Sequence, residues 1–232
     1  MIQRLWTQLT SHSPTPATPT THTSELHSTT PKVFCVGMNK TGTTSIDAAL
    51  TQLGYRVAPQ APAELLIHDW AKRDFTALVE FCHTADAFQD IPFSLPYTYQ
   101  VLDMHFPQSK FILTIRASSD EWYRSICSFH GKLWNNGQIP QIEHLKAAKY
   151  RYPGYAYEAF KYVYNTPDDD LYNQSILTRV YEQHNAAVQE YFRYRPDDLL
   201  TLNVSHPNAY HQLCDFLGKP RVDAAFPWEN KT

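Results

Sequence analysis

Gly37 and Gly42 stand five residues apart and enclose Met38, Asn39, Lys40 and Thr41; Thr43, Thr44 and Ser45 follow directly. A G-x-x-x-x-G turn that leaves a strand and opens a helix presents backbone N–H groups and the positive helix end to a phosphate. In the nucleotide-kinase form of this loop a lysine follows the second glycine. Here Thr43 holds that place, and the one lysine of the loop, Lys40, lies in its middle. The loop therefore suits phosphate binding with its cation displaced from the kinase position. Two further groups could act with it. Arg116 ends the apolar run "KFILTIR", a cation at a strand end that could serve a surface ion pair. Asp90 lies where "DAFQDI" runs into Pro92, at the sheet edge where ligand-facing residues gather, and could take a proton from an acceptor or cap the turn. His130, in an apolar helical stretch, is the rival base or a structural histidine.

These groups need a frame. "KVFCVGM" is a β-branched apolar run bounded by glycine, as expected of a strand buried on both faces. Ile46, Ala49, Leu50 and Leu53 then recur at helical spacing, and Gly54 supplies a stop. Further along, "YRVAP", "DAFQDI", "KFILTIR" and "LLTLNVS" read as strands. "AELLIHDW", "FTALVEFCHTA", "YTYQVLDMHF", "SDEWYRSICSFHGKLW" and "NAYHQLCDFLG" read as helices, the fourth with a start signal at Ser119. The long segment from Leu171 to Arg195 carries Leu177, Tyr181, His184, Val188 and Tyr191 on one stripe. Strands alternating with helices predict an α/β fold with a largely parallel central sheet covered by helices on both faces.

Between about residues 128 and 170 the rhythm breaks into an aromatic-rich helical insertion, "YRYPGYAYEAFKYVYN". It could pack on the domain or form an acceptor-binding wall, and tyrosine faces suit sugars and aromatic alcohols alike. Residues 1–31 are dominated by Thr, Ser, Pro and His and predict a disordered leader, so the folded domain should span 32–232. With 20 basic and 23 acidic residues the net charge is −3, too little for a general polyanion binder, so an anion must be held locally. Cys35, Cys82, Cys127 and Cys214 show no C-x-x-C spacing and read as core thiols in a reducing compartment. The start of the chain has neither the length of a membrane span nor the form of a signal peptide, so the expectation is a soluble, cytoplasmic protein.

The segment "GMNKTGTTS" resembles the 5′-phosphosulfate loop of sulfotransferases, with its core K-x-G-T-[TS] at Lys40, Gly42, Thr43 and Thr44. "KFILTIR" followed by "ASSDEWYRS" is similar to that family's 3′-phosphate motif, matched by Arg116 and Ser125. The serine lies nine residues after the arginine, one more than the family spacing, and the frequent proline after the arginine is missing. The F-L-G-x-P at Phe216–Pro220 and F-P-x-x-N at Phe226–Asn230 look like the family's C-terminal segment. The resemblance implies a P-loop-like three-layer fold and use of 3′-phosphoadenylyl sulfate as donor, with adenosine 3′,5′-bisphosphate as product and no metal.

It also implies a role for the displaced lysine. The group leaving sulfur is a phosphate oxygen, and Lys40 in mid-loop can neutralise the charge growing there. Asn39, Lys40, Thr41, Gly42, Thr43, Thr44 and Ser45 would surround the 5′-phosphate, Arg116 and Ser125 the 3′-phosphate, and Lys219, Arg221 or Lys231 could add to the latter. The acceptor would be a small molecule or carbohydrate with a hydroxyl or amine; neither nucleic acid nor membrane is expected as partner, and the oligomeric state stays open. A P-loop kinase or hydrolase, or a nucleotide-binding module without catalysis, are the alternatives. The first needs a lysine where Thr43 stands, and the second needs no base.

Overall fold

A computed structural model describes residues 31–221 and Phe226. The leader expected over residues 1–31, apart from Pro31, and the tail after Arg221, apart from Phe226, lie outside the described residues. Four strands, β1 (Val33–Cys35), β2 (Ala87–Phe88), β3 (Lys110–Thr114) and β4 (Leu199–Leu202), form one sheet in the order β2-β1-β3-β4. All three pairings are parallel, with Phe34 opposite Phe88 and Phe111, and Ile112 opposite Leu200. The helices in chain order are α1 (Thr43–Gln52), α2 (Gln60–Glu64), α3 (Ile67–Ala71), α4 (Thr76–Phe81), α5 (Thr98–His105), α6 (Ser119–Trp134), α7 (Ile142–Ala147), α8 (Tyr155–Tyr164), α9 (Gln174–Phe192) and α10 (Ala209–Phe216).

Alternating side chains of the strands enter two separate cores, which is why their sequences are apolar throughout. Phe34, Phe88, Phe111 and Leu113 pack with Leu78 of α4, Leu102 of α5 and Val188 and Phe192 of α9. Val33, Cys35, Ala87, Ile112 and Leu202 pack instead with Ile46 and Leu50 of α1 and Leu213 of α10. The result is the expected three-layer α/β arrangement. All four cysteines are buried and unpaired. Among the described residues no helix is long and apolar enough to cross a membrane.

The connection from β1 leads to β2 on one side, and that from β3 leads to β4 on the other. The chains leaving β1 and β3 therefore part, and a crevice opens at the carboxyl ends of the two central strands. Over this crevice lies the aromatic segment. Its α8 packs through Phe160 and Tyr164 against Trp122 and Ile126 of α6, Leu145 of α7 and Leu177 and Tyr181 of α9. Tyr155 and Ala159 on the same helix reach Ile67, Trp70 and Leu95. The segment is thus packed on the domain and also walls the crevice.

Four local expectations are corrected. Tyr55–Pro59 makes only a single bridge, Val57 to Ala87, because the left-handed Gly54 (φ 87°) precedes it and Pro59, without an N–H, turns the chain into α2. Ala63–Trp70 is split between α2 and α3; the Glu64 carbonyl accepts from the Tyr155 hydroxyl at 3.2 Å. Ser118, not Ser119, caps α6, accepting from the Glu121 N–H at 3.1 Å, while the Ser119 hydroxyl donates to Glu182. On α9, Tyr191 is half-buried and donates to Asp103 at 2.7 Å, and Phe192 takes the core position, 4.7 Å from the Phe111 ring.

Where β1 ends, the chain passes so close to β3 that a Cβ on Gly37 would lie 2.1 Å from Thr114 Oγ1 and 2.4 and 2.5 Å from the Thr114 carbonyl oxygen and amide nitrogen. Since backbone of a central strand cannot step aside, Gly37→Ala should destabilise the fold by about 1–3 kcal/mol or more. Thermal melting checks this: a variant that melts with the wild type would contradict the close approach.

Candidate functional site

The loop between β1 and α1 is held from several sides. Its carbonyls are occupied in turn: Val36 accepts from His184 Nε2 at 2.7 Å, Met38 from the Thr41 hydroxyl at 2.5 Å, Asn39 from Trp122 Nε1 at 3.0 Å and Lys40 from Arg116 Nε at 2.8 Å. Because the Thr41 hydroxyl gives its proton to Met38, Thr114 Oγ1, 2.5 Å away, must donate to Thr41. Lys40 (φ 68°) and Gly42 (φ 103°) both take left-handed conformations, and a Cβ on Gly42 would meet Val204 Cγ2 at 2.4 Å. Directly after Gly42, α1 begins at Thr43, so its first amides have no partner inside the helix. With the carbonyls engaged by donors and the amides unspent, this end of the loop is electrically suited to an anion.

Asp90 approaches from the end of β2. Its Oδ1 accepts from the Ile91 N–H at 2.8 Å and its Oδ2 from the Thr43 hydroxyl at 3.1 Å. Thr43 therefore uses the kinase-lysine place to tie the loop to a carboxylate. Burial pushes the Asp90 carboxyl above its ordinary range, against these two hydrogen bonds and the Lys40 charge. The Lys40 Nζ lies 3.6 Å from the centroid of the Phe129 ring. Burial brings its ammonium down to about 8, with Arg116 and Lys132 adding to the effect and Asp90 opposing it.

Arg116 braces as well as lines the site. Besides the Lys40 carbonyl, its Nη1 reaches Glu121 Oε1 at 3.3 Å, and its backbone N–H donates to the Tyr181 hydroxyl at 2.9 Å. Its Nη2 makes no hydrogen bond among the described residues.

A cleft of about 370 Å³ joins these pieces. Asn39, Lys40, Gly42, Thr43, Thr44, Ser45, Asp90, Arg116 and His130 all line it, while Thr41 is buried behind the loop as a brace. His130 is held by Tyr172, 2.9 Å from its Nδ1, and packs on Trp134; burial, helped by Lys40, brings it down to about 3. It is neutral near pH 7 and a weak base. Ser125 does not line the cleft, and its buried hydroxyl has no hydrogen-bond partner among the described residues. Lys219 rests on the Tyr55 ring and Arg221 pairs with Asp215; neither lines the cleft, and Lys231 lies outside the described residues.

One part of the site is not visible in any motif. Glu64, buried, pairs with Arg151 and accepts from the Tyr150 hydroxyl at 3.4 Å. Gln60 Nε2 donates to Glu64 and to the Ile91 carbonyl, and Gln89 Nε2 donates to Gln60 Oε1. This network backs the turn that carries Asp90. Its members come from three distant segments, so no local spacing could announce it.

The model of a family described as a sulfotransferase domain matches residues 32–232. The chain belongs to the sulfotransferase family. A comparison with curated proteins finds no match. The mid-loop Lys40 and the Asp90 carboxylate both line the cleft, and burial disfavours the charged form of each. Lys40 is charged where burial disfavours charge. Its ammonium is lowered from 10.5 to about 8, so the folded state bears this penalty in full below pH 8 and sheds it as pH rises toward 10.5. Lys40→Met, which keeps the stem and removes the charge, should therefore melt about 2 °C or more above the wild type at pH 7. That advantage should shrink steadily in melts run between pH 8 and 10; an advantage that grew with pH would contradict the burial of a charged Lys40.

Proposed function

We propose that this sulfotransferase moves a sulfuryl group from 3′-phosphoadenylyl sulfate to a hydroxyl or amine of a small-molecule or carbohydrate acceptor. The observation that carries the reading is the meeting, in one cleft, of a phosphate loop with a mid-loop lysine and a carboxylate with raised proton affinity. The amides from Gly42 to Ser45 hold the donor's 5′-phosphate, and Arg116 turns its free Nη2 to the 3′-phosphate. The acceptor oxygen or nitrogen bonds to sulfur as the bond from sulfur to the bridging phosphate oxygen breaks. Asp90 takes the acceptor's proton, and Lys40 neutralises the charge left on the phosphate. Positioning and charge neutralisation do most of this work, as they do in phosphoryl transfer. The buried, unpaired cysteines support a reducing, cytoplasmic setting.

Of the two candidate bases, Asp90 is favoured. Its upward shift strengthens it as a proton acceptor, whereas His130 is weakened by burial and already bonded to Tyr172. A kinase reading is disfavoured by Thr43, whose hydroxyl is committed to Asp90 where the kinase loop needs a cation.

The donor is tested by melting. Adenosine 3′,5′-bisphosphate should raise the melting temperature well above the shift given by ATP with magnesium at equal concentration, because stabilisation follows ligand concentration over dissociation constant. Equal shifts, or a larger one with ATP, would overturn the donor assignment. The base is tested by Asp90→Asn, which keeps a hydrogen-bonding group but cannot take the proton. Turnover should fall about a hundredfold or more while the bisphosphate shift persists. Full activity in this variant would return the role to another group, and failure of the intact protein to sulfate any acceptor would favour a nucleotide-binding module without catalysis.

A further inference from the structure

One corner of the cleft is built from α1, α2 and the end of β2. Asp47, Gln60, Glu64 and Gln89 line it and are joined by hydrogen bonds that have a fixed sense. The Ile91 carbonyl can only accept, so Gln60 turns its Nε2 to it at 3.0 Å and its Oε1 to Gln89. Gln89 must then present its own Nε2, which donates to Gln60 Oε1 at 3.1 Å and reaches Asp47 Oδ2 at 3.5 Å. Turning this amide round would set its oxygen against two acceptors. Gln89 Oε1 is therefore fixed as an acceptor, and it has no donor among the described residues although Gln89 is only 7 % exposed. A buried carbonyl oxygen in this state is costly, and a ligand N–H in the cleft removes the cost.

Asp47 adds a charge. Three carboxylates line the cleft among the described residues, Asp47, Glu64 and Asp90. Lys40 offsets Asp90, and Arg151 pairs with Glu64. Half-buried Asp47 has no ion pair among the described residues; its side chain meets the Thr51 hydroxyl and Gln89 Nε2, each at 3.5 Å. Burial pushes its carboxyl above the ordinary range, and these two hydrogen bonds, not a cation, oppose the shift.

We propose that Asp47 and Gln89 hold a protonated amino group of the acceptor, which is therefore an amino alcohol with its hydroxyl at Asp90. The proposal rests on the sulfotransferase reading of the same cleft and narrows its acceptor. An ammonium serves both partners at once: one N–H satisfies Gln89 Oε1, and the charge offsets Asp47. A neutral hydroxyl has one hydrogen to give and no charge to set against the carboxylate. Gln89 and Asp90 are consecutive residues, with Cα atoms about 3.8 Å apart, so one small molecule can reach both. During transfer the amino group keeps its protons. The hydroxyl oxygen bonds to sulfur as the bond from sulfur to the bridging phosphate oxygen breaks, and the hydroxyl proton passes to Asp90.

The test uses the full chain with 3′-phosphoadenylyl sulfate and measures release of adenosine 3′,5′-bisphosphate with two matched sets of acceptors. Tyramine is compared with 4-ethylphenol and 2-(4-hydroxyphenyl)ethanol, and phenylalaninol with 3-phenyl-1-propanol and 3-phenyl-1,2-propanediol. In each set the amino group is replaced by hydrogen or by a hydroxyl. In at least one set the KM of the amine should lie about tenfold or more below those of both neutral partners, since only the amine pairs the buried oxygen and the carboxylate. Asp47→Asn should raise that KM about tenfold or more, toward those of the neutral partners, while the bisphosphate melting shift persists. The wild-type comparison decides alone if Asp47→Asn fails to fold. No preference for the amine in either set, or a preference that survives in Asp47→Asn, overturns the subsite while leaving sulfuryl transfer intact. If no acceptor is sulfated, calorimetric titration of the two amines decides: binding that Asp47→Asn weakens about tenfold supports the subsite, and absent or unchanged binding overturns it. A bisphosphate that gives no melting shift marks failure of the functional reading itself.

Discussion

Gly37 and Thr114 stand side by side where β1 and β3 end, and the missing side chain on Gly37 lets the two strand ends touch. That contact brings Thr114 within hydrogen-bonding reach of Thr41 and sets the height at which the phosphate loop leaves the sheet. Arg116, two residues beyond Thr114, is thereby placed to hold the Lys40 carbonyl, and Trp122 on the following helix to hold that of Asn39. His184, far along α9, grips Val36 just before the loop. A loop with left-handed residues at 40 and 42 would not keep that shape unaided; it is held by donors from β3, α6 and α9.

Holding the loop in this way has an electrostatic result. Its carbonyls at Val36, Met38, Asn39 and Lys40 are engaged by donors behind it, while the amides at the start of α1 have no partner within the helix. Lys40 and Asp90 then face a partly dry space in which each is pushed toward its neutral form, the lysine down and the aspartate up. On the proposed reading, the low-dielectric cleft that makes the Lys40 charge expensive in the free protein also strengthens its pull on negative charge that develops beside it. The same burial disarms His130, which is closed off by Tyr172 and Trp134 and serves the wall.

The aromatic segment has two faces with different duties. Tyr164 and Phe160 join the cluster around Trp122 and Tyr181, which stack at 4.6 Å and anchor α6 to α9. Tyr181 also accepts from the Arg116 amide, so the packing of the segment and the position of the phosphate-side arginine are mechanically linked. The other face of α8 borders the cleft. A single helix therefore braces the Arg116 side of the cleft and shapes its opposite wall.

Much of this was legible in the residues alone. Buried parallel strands must be apolar throughout, and "KVFCVGM", "KFILTIR" and "LLTLNVS" announced three of the four strands, while "DAFQDI" announced the fourth. The G-x-x-x-x-G spacing and the helix pattern after it placed the loop with Gly37, Lys40 and Gly42 between β1 and the start of α1 at Thr43. Local signals failed where the deciding partner was distant. Tyr55–Pro59 lost its strand to the turn and proline around it, and α2 and α3 separated at Glu64, whose carboxylate pairs with Arg151 87 residues on. The sequence by itself determined the sheet, the loop and the cation displaced into it, because each depends on neighbours within one turn or strand. Only the tertiary structure decided that Asp90 meets Thr43, that Ser125 stays out of the cleft, and that Glu64, Gln60 and Gln89 stand behind the turn that carries Asp90. Those are contacts between segments, fixed by which strand ends lie side by side.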